Sequence, residues 1–103
     1  MTDNERILEW VGAKLCRCYR CHASGNTLWQ TTDGNVWFPS SLNMNFYAKY
    51  VWPKLRYYEL WNSERYNQHY ALVGSKEGDS RNAYADTPEE AMKIALLQLI
   101  GGE

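Results

Sequence analysis

The sequence predicts an α+β domain, in the order helix, three strands, helix, two or three strands, helix. Three observations carry this. Asp86-Thr87-Pro88-Glu89-Glu90 is a helix start that runs into an apolar stretch and stops at Gly101-Gly102. Asp33-Gly34 lies between residues 27–30 and 35–38, two runs rich in strand formers, which is the signature of a tight hairpin. Residues 57–61 and 66–73, rich in aromatic residues, flank Asn62-Ser63-Glu64 as a second hairpin. Strands this close in the chain pair antiparallel, giving a sheet of about five strands with three helices, α-β-β-β-α-β-β-α.

Each element has its local reason. Thr2 and Glu5 are spaced as a capping box, Ile7, Leu8 and Val11 fall on one helical face, and Gly12 is a natural stop, so the first helix covers about residues 3–12. Residues 14–22 read as a strand, with Leu15, Arg17 and Tyr19 alternating against Cys16, Cys18 and Arg20, and His22 to Asn26 as turn chemistry. Asp-Gly is expected to supply the positive φ values of the next turn, and Pro39-Ser40-Ser41 ends that hairpin. Asn43 caps a second helix over about 44–56, where Pro53 forces a boundary or a kink. Residues 74–81 read as a loose polar loop, and 82–85 add a short strand. In the last helix Thr87 is the N-cap, Pro88 the first residue and Glu90 the third. Met92, Ala95, Leu96 and Leu99 form one stripe, and Ile94 and Leu97 on the other side are expected to meet the sheet, the first helix or a second chain, as in a homodimer.

The 103 residues suffice for a single domain, 1–103, and aromatics at 15% promise large rings for its core. A net charge of −1 gives no global attraction to nucleic acid or anionic membrane. Residues 14–56 nevertheless carry a local charge of +5, while the segments on either side are acidic. No apolar run reaches the roughly 18 residues that span a bilayer, and the polar start lacks an export leader, so the expected location is the cytoplasm with reduced thiols.

The order of these signals is similar to the phage ABA-sandwich domain family. The likeness rests on Ala83-Tyr84-Ala85-Asp86-Thr87-Pro88-Glu89-Glu90-Ala91 followed by Ile94 to Leu97, on Tyr58-Glu59-Leu60-Trp61-Asn62 after an aromatic helix, and on Trp29, Asp33-Gly34 and Pro39 in sequence. The resemblance implies a three-layer α/β/α sandwich encoded by a bacteriophage or prophage. It brings no catalytic residue, and the cluster at Cys16 to His22 and the Pro53 helix depart from the pattern.

That cluster, Cys16-x-Cys18-x-x-Cys21-His22, is the sharpest local motif. Cys18 to His22 has the spacing of a haem c attachment, which requires export. The same thiols with His22 offer a zinc half-site, but no second pair follows and His69 is the only distant imidazole. A redox dithiol would want a helix after Cys21, and a Cys21–His69 dyad would form only through the fold. The plain reading is small thiols on a strand, with no metal, cofactor or catalytic residue assigned. Trp29, Trp37, Tyr57 and Trp61 with Arg17, Arg20 and Arg56 would make a nucleic-acid platform if they shared an open sheet face. The expectation is therefore a non-enzymatic phage accessory protein that binds a host macromolecule in the host cytoplasm, for example an anti-defence (anti-CRISPR-like) inhibitor. The alternatives are a nucleic-acid-binding accessory protein or a small zinc module.

Overall fold

The structure, a computed structural model, describes residues 2–16 and 28–101. The chain is α+β and divides into two compact units, Met1–Leu42 and Asn43–Glu103. Among the described residues there are two three-stranded antiparallel sheets, one in each unit, in place of the single sheet of about five strands expected.

In the first unit, helix α1 spans Asp3–Trp10. Its capping box is complete: the Glu5 N–H donates to Thr2 Oγ1 at 3.3 Å, and the Thr2 N–H donates back to Glu5 Oε1 at 3.1 Å. These bonds favour the charged carboxylate and hold Glu5 below its ordinary pKa. At the other end Gly12 takes φ +91°, its N–H reaches the Glu9 carbonyl, and the Ala13 N–H reaches that of Leu8. This pair of bonds is a Schellman ending, so the helix stops where glycine permits the left-handed residue. Strands β1 (Lys14–Leu15), β2 (Trp29–Gln30) and β3 (Val36–Trp37) pair in that order. The rest of the expected 14–22 strand and its turn lie outside the described residues.

The β2–β3 turn corrects one expectation. Of Asp33-Gly34 only Gly34 has positive φ, at +91°, and its N–H closes on the Thr31 carbonyl at 2.9 Å. Asp33 works through its carboxylate, which accepts from the Thr31 hydroxyl at 2.6 Å and from the Asn35 N–H at 3.2 Å. The polar stretch after residue 74 repeats this device. Ser75 and Asp79 pair through backbone at 2.8 Å, and Gly78 at φ +102° closes on Ser75, so the expected loose loop is a tight hairpin turn.

In the second unit, helix α2 covers residues 44–54. Asn43 caps it by accepting from the Phe46 N–H at 3.1 Å. It starts as an α-turn (Met44–Phe46), widens to a π segment (Tyr47–Val51) and closes as a 3₁₀ turn (Trp52–Lys54). Pro53 is the physical cause. It has no N–H, and its ring would press on the carbonyl of Lys49 in a regular helix; the turn before it is widened, with the Trp52 N–H reaching back to Tyr47. The boundary expected at Pro53 is there, and the helix ends two residues earlier than read from the sequence.

Strands β4 (Tyr57–Ser63), β5 (Gln68–Gly74) and β6 (Ser80–Ala85) form a meander, and α3 (Pro88–Gly101) lies across β5 and β6. The β4–β5 turn is residues 64–67, later than Asn62-Ser63-Glu64, because Asn67 supplies the left-handed residue, φ +51°. Ala71, Val73, Ala83 and Ala85 are the buried side chains of β5 and β6; Ala91, Met92, Ala95 and Leu96 are those of α3. Leu99, Ile94 and Leu97 are half-buried. Phe46, Tyr47 and Val51 of α2 are also buried.

Two consequences are measurable. The Glu90 N–H donates to Thr87 Oγ1 at 3.1 Å, so Thr87→Ala should cost about 1 kcal/mol. Calorimetry should show a melting temperature lower by about 5 °C, against little change for the exposed Thr32→Ala. The Tyr47 phenol is pushed up to about 12 by burial and then by the carboxylates of Glu90 and Glu89. The folded state therefore holds this proton more tightly than the unfolded chain. Its contribution is intact below the ordinary phenol value of about 10 and is lost as pH rises from there toward 12. Chemical denaturation across that window should show the loss, and Tyr47→Phe should flatten it.

Candidate functional site

The candidate site follows from strand alternation in the second unit. Successive residues of a strand point to opposite faces. On the face under α3 the register aligns Ala71 with Ala83 and His69 with Ala85. On the opposite face it aligns Trp61 with Tyr70 and Tyr70 with Tyr84. Small side chains thus sit where the helix approaches, and large rings sit on the other side.

The rings form a continuous row. Trp61 and Tyr70 have centroids 4.6 Å apart with planes inclined at 40°. Tyr70 and Tyr84 follow at 5.0 Å and 56°. Tyr66, brought back by the 64–67 turn, closes the row edge-on to Tyr84 at 5.4 Å and 66°. These are favourable tilted and edge-to-face geometries, worth about 0.5–1.5 kcal/mol per pair. On the same face the Asn82 amide donates to the Tyr70 hydroxyl at 3.3 Å and helps fix the row. It is nevertheless open: Trp61 is 49% exposed, Tyr66 55% and Tyr84 41%. Tyr57 continues the face at the end of β4, with its ring lying over Gly74 of β5. The aromatics expected as core are therefore split, with Trp29, Phe46 and Tyr47 buried and this set facing water.

The charges on this face are sparse. Glu59, between Tyr57 and Trp61, is exposed and shares their side of the strand. Arg65 places its guanidinium 5.5 Å from the Tyr66 centroid, a cation–π contact at the end of the row.

The residues singled out from the sequence disperse. Tyr57 and Trp61 are on the open face; Trp29 and Trp37 pair with each other in the first unit, and Trp29 is buried. Arg56 is exposed just before β4, its N–H donating to the Gly74 carbonyl at 2.8 Å. Arg17 and Arg20 lie outside the described residues, as do Cys18, Cys21 and His22. Cys16 is half-buried at the end of β1, beside an open hollow of about 370 Å³ lined by Lys14, Gln30, Thr31 and neighbours. His69 is half-buried on the helix-side face of β5. Among the described residues no three His, Cys, Asp or Glu side chains gather as a metal site, and no helix is long and apolar enough to cross a membrane.

Tyr66, Tyr70 and Tyr84 went unnoticed in the sequence. Their signal was the alternation itself: Tyr70 and Leu72 against Ala71 and Val73, Asn82 and Tyr84 against Ala83 and Ala85. Gly74 gives a direct test of the face. A Cβ there would run into the ring of the exposed Tyr57, so Gly74→Ala should turn that ring off β5 at a cost of at most about 1 kcal/mol in urea unfolding. Tyr57→Ala in the same chain should recover much of that loss, a non-additivity that reports the contact. Comparison with family models, with curated proteins and with solved structures returned no match.

Proposed function

We propose that the protein is a non-enzymatic binding module whose working surface is the open aromatic face of β4–β6. The observation that carries this is the row Trp61, Tyr70, Tyr84 and Tyr66, ordered by its own packing, with Trp61, Tyr84 and Tyr66 about half exposed. Leaving such rings in water forgoes burial free energy, and ordered exposed Trp and Tyr are the side chains that anchor protein interfaces. On the order of 400 Å² of ring surface lies together, the size of a functional patch. In the phage or prophage setting that the sequence resemblance suggests, the partner is a host protein in the host cytoplasm, and inhibition of a defence effector is one such role. A three-layer sandwich would lay a further helix on this face; the exposure of the rings supports leaving it open for a partner.

A nucleic-acid partner is the second reading, supported by the stacking capacity of the rings, by Arg65 over Tyr66 and by the basic 14–56 segment. Among the described residues, Glu59 on the face and Arg65 as the cation of the row weigh toward protein.

The test is a pull-down of tagged protein from bacterial host lysate, with and without nuclease, beside Trp61→Ala and Tyr84→Ala. A stoichiometric protein that survives nuclease and is lost from both variants is the expected result. Retention of nucleic acid that weakens steeply with salt would replace this reading by the second. Unchanged capture by both variants would move the function off this face.

A further inference from the structure

We infer that the ring row binds a proline-rich segment held in the polyproline II conformation. This deepens the protein-binding reading of the same face and rests on it. Four features of the row select that ligand.

The first is relief. Neighbouring rings are inclined at 40°, 56° and 66° and touch one another. They make a corrugated surface of ridges and shallow grooves, which suits pyrrolidine rings settling between aromatic edges. A chain of flat bases would need separate, parallel platforms.

The second is length. Centroid steps of 4.6 and 5.0 Å carry the row across three strands, and Tyr66 of the 64–67 turn flanks Tyr84 at 5.4 Å. At about 3.1 Å per residue, a polyproline II helix would run along it for about three residues, one turn.

The third is hydrogen bonding. Polyproline II has no internal hydrogen bonds, so its carbonyls seek donors. The Trp61 indole N–H is on an exposed side chain and makes no hydrogen bond among the described residues. The Tyr70 hydroxyl accepts from Asn82, which leaves its own proton to donate. Aromatic grooves with donors at their edges are the general way proline-rich segments are read.

The fourth is charge and area. Among the described residues, Arg65 is the cation of the row and Glu59 flanks it, a poor match for a phosphate chain and a good one for a neutral or basic peptide. The ring surface, on the order of 400 Å², is about half of what each partner contributes to a stable globular interface, so a second copy of this chain fits the face less well than a peptide.

The experiment is a titration of the full chain, ¹⁵N-labelled, with a polyproline peptide of roughly ten residues. Parallel titrations use a Gly-Ser peptide of equal length and an oligothymidylate. The expected result is saturable movement of the Trp61 indole signal and of the Tyr70 and Tyr84 amides by polyproline alone. Trp61→Ala and Tyr70→Ala should each weaken it by about tenfold or more, and Tyr70→Phe, which keeps the ring and removes the donor, by less. Lys76→Ala, in the distant turn, should bind as the parent does. Polyproline leaving these signals unmoved at millimolar concentration would overturn the inference. So would equal movement by the Gly-Ser peptide, oligothymidylate moving them in its place, or concentration-dependent dimerisation that Trp61→Ala abolishes. If polyproline fails while a lysate protein is still lost on Trp61→Ala, the peptide class is wrong and the protein-binding reading stands.

Discussion

The close fit of α3 on β5 and β6 is the constraint from which the rest of the second unit follows. The sheet offers Ala71, Val73, Ala83 and Ala85, and the helix offers Ala91, Met92, Ala95 and Leu96. With methyl groups opposing methyl groups, helix and sheet backbones approach closely and leave no volume for rings. A Tyr or Trp at any of these strand positions would have to push the helix away. The period-2 geometry then sends the bulky residues of the same strands to the other face. The open aromatic surface is thus the other half of a tight core.

The second helix solves a different problem. Pro53 cannot take part in a regular helix, yet Phe46, Tyr47 and Val51 are wholly buried and must be held together. Widening to a π turn places three bulky side chains inward within six residues, and the 3₁₀ turn that follows delivers Trp52 to stack on Tyr58 of β4 at 4.0 Å. The proline therefore ends the helix and also sets where its last ring falls. Turns are handled with similar economy: Gly34 and Gly78 close two hairpins of the same form, one braced by the Asp33 carboxylate and the other by Ser75.

The function proposed for the open face rests on a contrast between order and exposure. The rings are fixed by one another, by Asn82 and by Gly74, which gives Tyr57 room to lie flat across the strand. A surface already arranged in this way loses little conformational entropy on binding. Its weak charge explains why the overall composition gave so faint an indication of a partner. What it presents is shape, ring edges and a few donors.

What the sequence determined by itself was local. The Thr2–Glu5 box, the Gly12 stop, the Asn43 and Thr87 caps, the break at Pro53 and most strand segments could all be read, because each depends on residues within a few positions of one another. The tertiary structure decided what depends on distant neighbours: that the strands form two sheets, that Asn67 closes the second hairpin in place of Asn62-Ser63-Glu64, and which face of β4–β6 the helix covers. Rings read as core from their hydrophobicity lie in water because alanines hold the face against α3. Alternation separates the two faces of a strand, but the side that is buried is chosen by the element that packs there, and no local pattern in the chain encodes that choice.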